Sequence, residues 1–75
     1  MSDLGSRLRE ARESRGLTLQ QVEEQLRIRH AFLEALEEER YDALPGAVYT
    51  RGFIQSYGRF LGLPVEELLH EYGGG

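Results

Sequence analysis

The sequence predicts an all-α domain, a bundle of five helices with a helix-turn-helix at its centre. Apolar residues recur at the three- and four-residue spacing that puts them on one face of a helix. Capping signals, glycines and prolines separate five such segments, and none of the segments is predicted to be a strand. With 75 residues the chain has room for one domain with a small core. We assign residues 1–72 to that domain. Residues 73–75 are interpreted as a glycine tail, either the start of a linker or an addition foreign to the natural protein.

The first helix is predicted over about residues 3–14. Leu4, Leu8 and Ala11 recur at i, i+4 and i+7 and form its apolar stripe. Gly16 follows as the C-terminal stop signal.

The second and third helices form the predicted helix-turn-helix. Thr18 and Gln21 match a capping box that opens a second helix of about seven residues. The third helix is expected to run from Arg29 or His30 to Glu39. The residues predicted to form the core between the two helices are Val22, Leu26, Ile28, Leu33 and Leu36.

The fourth helix is predicted over about residues 47–61. It contains Gly52 and Gly58, and we expect both glycines to permit close packing against another helix. Gly62 ends this helix, and Pro64 is well placed for the first turn of a fifth.

The composition excludes several classes of site. The chain has no cysteine, which excludes disulfides and thiolate metal ligands. His30 and His70 are too far apart in sequence to form a metal-ligand pair, and no catalytic constellation is apparent. We therefore expect a binding module with no enzymatic activity, metal, cofactor or small-molecule substrate. No apolar run could span a membrane and no signal-peptide pattern is present, so we expect a cytoplasmic domain without membrane contact of its own.

The net charge of −4 is unevenly distributed. Residues 1–30 carry six arginines and five acids, a balance of +1, whereas residues 31–75 carry three arginines and eight acids, a balance of −5. Binding to nucleic acid draws much of its affinity from phosphate neutralisation, so an acidic domain starts at a disadvantage.

Residues 4–39, with the entry sequence "GLT" and the spacing of the core positions, resemble the Cro/repressor-type (XRE, lambda-repressor-like) domain. The resemblance implies a five-helix lambda-repressor-like bundle whose third helix, in DNA-binding members, enters the major groove. This chain departs from the pattern at two positions. Glu23 replaces the small residue that is usual in the middle of the second helix, and Arg27 replaces the usual turn glycine. Arg29 and His30 could touch DNA, although a solvated cap or surface ion pair is the reading we favour for Arg29. The third helix also carries four acids, Glu34, Glu37, Glu38 and Glu39. We expect the last three to form a solvated face, and we keep a DNA-binding transcription regulator as the alternative function.

A second resemblance covers nearly the whole chain. The strings "RLREARESRGLTLQQVEEQLRIR", "LEALEEERYDALPGAVYTRGFIQSYGRFLGL" and "PVEELL" are similar to the N-terminal cytoplasmic domain of RodZ, a family of bacterial cell-shape proteins. The resemblance implies an adaptor that binds the actin-like filament protein MreB. It also implies a parent protein in which a linker leads to one transmembrane helix and an extracytoplasmic region. In that family an aromatic pair on the fourth helix touches the filament subunit, and Tyr49 and Phe53 stand at the matching positions.

The residues of the fourth helix allow this interpretation independently. Tyr49, Phe53 and Tyr57 recur every four residues and form one stripe, which could equally belong to the core. We expect Tyr57 to be buried and Tyr49 and Phe53 to contact the partner. Arg51 and Arg59 either add charged contacts at the rim or serve solubility. The residues expected to serve the core instead are Val48, Ile54, Phe60 and Leu61.

Overall fold

The computed structural model describes residues 3–73, and these residues form an all-α bundle without strands, as predicted. The elements are α1 (Leu4–Ser14), α2 (Leu19–Leu26), α3 (His30–Glu37), a short 3-10 helix (Tyr41–Ala43), α4 (Ala47–Phe60) and α5 (Val65–Tyr72). Residues 1, 2, 74 and 75, which include most of the predicted glycine tail, lie outside the described residues.

Side-chain caps determine where the first two helices begin. Asp3 caps α1, with its Oδ1 accepting a hydrogen bond from the Ser6 N–H (2.8 Å). The predicted capping box opens α2, because Thr18 Oγ1 accepts from the Gln21 N–H (3.1 Å) and Gln21 Oε1 accepts from the Thr18 N–H (2.9 Å). These bonds satisfy N–H groups that have no partner inside the helix.

The turn between α2 and α3 holds Arg27 in a left-handed conformation, with φ at 61°. Its N–H donates to the Glu23 carbonyl (2.7 Å), which completes the C-terminal cap of α2. A non-glycine residue in this region costs about 1–2 kcal/mol. Glycine is the usual residue at this turn because it adopts the left-handed conformation without that cost, and here Arg27 adopts the same conformation.

The third helix ends at Glu37, two residues earlier than predicted. Glu39 adopts a left-handed φ of 57°, and its carboxylate turns back to accept a hydrogen bond from the Gly5 N–H (2.9 Å). A β-carbon on Gly5 would collide with the backbone carbonyl of Glu37, so α1 and α3 pack with almost no space between them. This tertiary contact ends α3, and nothing within the helix sequence signals it.

The core lies where the helix-turn-helix meets α1, α4 and α5. Four of the five predicted helix-turn-helix core residues are buried, namely Val22, Ile28, Leu33 and Leu36. Leu26 is half-buried and packs against this cluster. The other buried apolar side chains are Leu4, Leu8, Ala35, Leu44, Ile54, Tyr57, Leu61 and Leu68.

The two glycines of α4 differ in their surroundings. A β-carbon on Gly58 would lie 2.6 Å from Leu68 Cδ1, so this glycine does permit the close approach of α5. A β-carbon built on Gly52 would have no atom of the described residues within 4 Å. The expectation that this glycine permits close packing against another helix of the domain is therefore wrong.

Glu37 is buried, contrary to the prediction of a solvated acidic run. Its side chain is 1% exposed and accepts two hydrogen bonds from Arg12, Nε to Oε2 (2.7 Å) and Nη2 to Oε1 (2.9 Å). The Tyr57 hydroxyl donates to the same Oε2 (2.5 Å), and Arg9 Nε donates to Oε1 (3.3 Å). We call Glu37, Arg12 and Tyr57 the carboxylate network; it joins α1, α3 and α4.

The network keeps Glu37 ionised. Burial by itself would raise the pKa of this carboxyl, but the hydrogen bonds from Arg12 and Tyr57 outweigh burial and lower the pKa. Burial and the bond to Glu37 raise the pKa of Tyr57, so its hydroxyl remains a donor. The bond to Glu37 raises the pKa of Arg12.

Removing the Tyr57 hydroxyl should destabilise the domain. We expect Tyr57→Phe to lower the free energy of unfolding by about 1.5–3 kcal/mol, because a buried carboxylate loses a donor. Urea denaturation measures this change. Tyr49→Phe removes an exposed hydroxyl and is the matched control, for which no measurable change is expected. Equal effects of the two substitutions would contradict the structural role of the network.

The lowered pKa of Glu37 should make stability depend on pH. The folded state favours the ionised carboxylate, so the unfolded chain binds more protons in acid. The stabilisation is therefore complete above the unfolded pKa and is lost as the pH falls through the lower pKa of the folded state. We therefore expect Glu37→Gln to be less stable than wild type at pH 7 by about 3 kcal/mol. The difference should narrow as the pH falls below the ordinary glutamate pKa of 4.5. Denaturation at a series of pH values tests this, with Glu38→Gln on the exposed side as the control. A difference that stays constant down to pH 3 would argue against an ionised Glu37.

Candidate functional site

An aromatic cluster, formed by Phe32, Tyr49 and Phe53, lies where α4 meets α3. The Phe32 and Phe53 rings are stacked, with centroids 5.6 Å apart and planes inclined by 18°. The Tyr49 ring is tilted against Phe53 at a centroid distance of 6.2 Å. Tyr49 is 60% exposed, whereas Phe53 and Phe32 are half-buried. The structure thus brings the predicted pair together and adds Phe32, which the sequence analysis had not assigned to the site.

The rotation of α4 determines this arrangement. Thr50, Ile54 and Tyr57 are buried and define the inner side of the helix. Thr50 Oγ1 donates to the Gly46 carbonyl (2.9 Å), so its hydroxyl is satisfied within α4. At about 100° per residue, Tyr49 and Phe53 then fall on the edge next to α3.

The outer side of α4 carries an apolar residue that the sequence analysis assigned to the core. Val48 is 83% exposed, so its assignment to the core is wrong. It lies about 120° around the helix from Ile54, too far to reach the same core. We call the solvent-facing side of α4 the outer face; it consists of exposed residues, namely Val48, Tyr49, Gly52, Gln55, Ser56 and Arg59.

Arg51 does not lie beside the aromatic cluster. It is about 160° around the helix from Phe53, on the side toward α5. Its Nη1 would be 4.0 Å from a β-carbon on Gly73, the residue that follows α5. Any contact made by Arg51 would therefore be at the opposite margin of α4 from the stacked rings.

The charge of α4 differs in sign from that of the rest of the chain. Arg51 and Arg59 are its only charged residues, a balance of +2. Since the whole chain carries −4, the remaining residues carry −6. Within residues 3–73 neither arginine forms an ion pair.

The N-terminal end of α3 is the surface expected for DNA. Arg29 and His30 are both exposed there. Glu23 of α2 occupies the same end, because its Oε1 accepts from the His30 N–H (3.2 Å) and lies 3.0 Å from His30 Nδ1. A carboxylate thus stands where a helix N-terminus would otherwise attract a phosphate. The open cleft beside it is lined by Gln20, Glu23, Glu24, Arg27 and Arg29. Its two acids offset its two arginines, so the cleft has no net positive charge.

Residues 3–73 contain no group of three or more histidine, cysteine, aspartate or glutamate side chains arranged to hold a metal ion. None of the helices described, from α1 through α5, is both long enough and apolar enough to cross a membrane.

Comparison with known proteins supplies the family. A family model described as a helix-turn-helix domain matches residues 7–68. The chain belongs to this helix-turn-helix family. The match continues well past the two helices of the motif, through α4 and into α5, so the matched region of this chain includes the outer face and the aromatic cluster. No solved structure matches this helix-turn-helix domain.

The cluster's two α4 residues should respond differently to truncation. We expect Phe53→Ala to lower the free energy of unfolding by about 1–3 kcal/mol, because it removes a half-buried ring stacked on Phe32. Tyr49→Ala should change it by no more than about 0.5 kcal/mol, because most of that ring is in solvent. Thermal unfolding of both variants measures the contrast. A large loss of stability in Tyr49→Ala would mean that its ring serves the core.

Proposed function

We propose that this domain is a cytoplasmic adaptor that binds an actin-like filament protein of the MreB type through α4. The observation that carries the proposal is that two large apolar side chains of α4 are exposed, Tyr49 (60%) in the aromatic cluster and Val48 (83%) next to it. Exposed aromatic and aliphatic side chains grouped on one rigid helix are typical anchors of protein–protein interfaces.

The identity of the partner rests on the resemblance to RodZ. The most specific part of that resemblance is the loop Asp42-Ala43-Leu44-Pro45 followed by "YTRGFIQSY", and this string is the α4 segment that carries Tyr49 and Phe53. The helix-turn-helix family match also runs through α4, which supports a function that uses more than α2 and α3. The proposal includes a parent protein anchored in the inner membrane, so that binding would link the filament to the membrane.

DNA binding through α3 is the alternative function. In its favour, Arg29 and His30 are exposed at the end of the helix that reads DNA in related folds. Against it, Glu23 occupies that end and the chain carries a net charge of −4. A gel-shift assay at low salt, where even weak phosphate binding is detected, should give no complex. A complex that is lost in Arg29→Ala would instead favour the alternative.

Co-sedimentation with purified MreB-type filaments tests the adaptor function. We expect the wild-type domain to pellet with the filaments and Tyr49→Ala to bind at least tenfold more weakly, since a tenfold change corresponds to about 1.4 kcal/mol and anchors often exceed it. Tyr49→Ala is preferable to Phe53→Ala as the decisive variant, because Phe53 also supports the fold.

Gln25→Ala, an exposed change on α2, is the matched control and should bind like wild type. If the wild-type domain stays in the supernatant, the adaptor function is wrong. If Tyr49→Ala pellets as well as wild type, the assignment of the site to α4 is wrong.

A further inference from the structure

Gly52 has no explanation within the fold. It lies in the interior of a 14-residue helix, where glycine is among the least favourable residues. Its φ is not in the left-handed region, and among the described residues no atom comes within 4 Å of a β-carbon built on it. Gly58 of the same helix is different, since its β-carbon would meet Leu68. The isolated domain would accept alanine at position 52 and be more stable with it.

Gly52 lies at the middle of the outer face. Val48 is one turn before it and Ser56 one turn after it, and Tyr49 stands beside it. Because Gly52 is exposed and has no side chain, the helix backbone is uncovered between Val48 and Tyr49 on one side and Gln55 and Ser56 on the other, and we call this gap the notch. A notch of this kind admits the main chain or a bulky apolar side chain of another molecule to direct contact with the helix.

We propose that Gly52 is a specificity-determining residue of the filament-binding surface, and that a segment of the partner packs directly onto the α4 backbone there. This inference rests on the proposed function and deepens it. The contact is then centred on Val48, Tyr49 and Gly52, and Phe53 supports Tyr49 from the side. The glycine is retained for the complex, at a cost to the free domain.

The charge of α4 specifies the partner's chemistry further. The outer face carries Arg59 and no acid, whereas the residues outside α4 carry a net charge of −6. Arg59 is about two turns beyond Gly52 and lies on about the same side of the helix. The complementary segment is therefore apolar where it enters the notch and carries a carboxylate where it passes Arg59.

The geometry gives substitutions at position 52 opposite effects on stability and binding. Gly52→Ala should raise the melting temperature by about 4–8 °C, because alanine favours the helix and meets no neighbour. The same methyl group would fill the floor of the notch and hold the partner away, and closely packed contacts tolerate such additions poorly. A merely structural role for Gly52 cannot produce this combination.

The experiment measures melting temperature and filament co-sedimentation for wild type, Gly52→Ala and Ser56→Ala. We expect Gly52→Ala to melt higher and to bind at least tenfold more weakly. Ser56→Ala also changes an exposed α4 residue to alanine but adds no atoms, so it should bind within about twofold of wild type.

The outcomes separate this inference from the proposed function. If wild type does not pellet, the adaptor function fails and the Gly52 contact fails with it. If wild type pellets, Tyr49→Ala does not, and Gly52→Ala binds like wild type, the adaptor function stands and the notch is wrong. A lower melting temperature in Gly52→Ala would likewise overturn the inference, because it would reveal an internal reason for the glycine.

Neutralising arginines tests the acidic character of the partner segment. Arg59→Gln should weaken binding several-fold at low salt, and the difference should shrink as salt screens the charges. Arg29→Gln removes the same charge from the exposed start of α3 and should have little effect. Equal losses from both substitutions would indicate general charge attraction and contradict a carboxylate beside Arg59.

Discussion

The fold depends on one buried carboxylate. Glu37 lies on α3 and receives hydrogen bonds from Arg12 of α1 and Tyr57 of α4, so three helices meet at its two oxygens. A charge removed from water is strongly unfavourable unless it is paired and hydrogen-bonded, so moving α1 or α4 away from α3 would leave the Glu37 carboxylate without donors. Arg12 extends the constraint to the turn before α2, because its Nη1 donates to the Leu17 carbonyl (2.9 Å).

The same interaction orients the candidate site. Once the Tyr57 hydroxyl is held by Glu37, the rotation of α4 about its axis is determined, and every other side chain of that helix follows. Thr50 and Ile54 turn inward, Phe53 lies at the edge against Phe32, and Val48 is left in solvent. The exposed surface of α4 is thus a consequence of how the core is hydrogen-bonded, and a rigid helix presents it.

A helix-turn-helix scaffold can serve binding without using its third helix for recognition. In this domain the N-terminal end of α3 is occupied by Glu23, and Glu37 of the same helix is committed to the core. The family match extends through α4, the element that carries the domain's exposed large apolar residues and a local positive charge. Function resides in sites carried by a fold, so membership of a helix-turn-helix family does not by itself decide which helix contacts a partner.

Local sequence by itself determined the helices, their starts and most of the core. The Thr18 capping box involves residues of a single turn, and the spacing of Val22, Leu33 and Leu36 is a pattern of neighbouring segments. The start of α2 and the burial of these three residues can therefore be predicted without the rest of the chain. Tertiary structure alone decided three further points, the burial of Glu37, the end of α3 at that residue and the exposure of Val48. Periodicity gives the angles between side chains on one helix, but it does not say which side faces the core when two sides carry apolar residues. That choice depends on partners that are distant in sequence, here Arg12 and Tyr57 for Glu37.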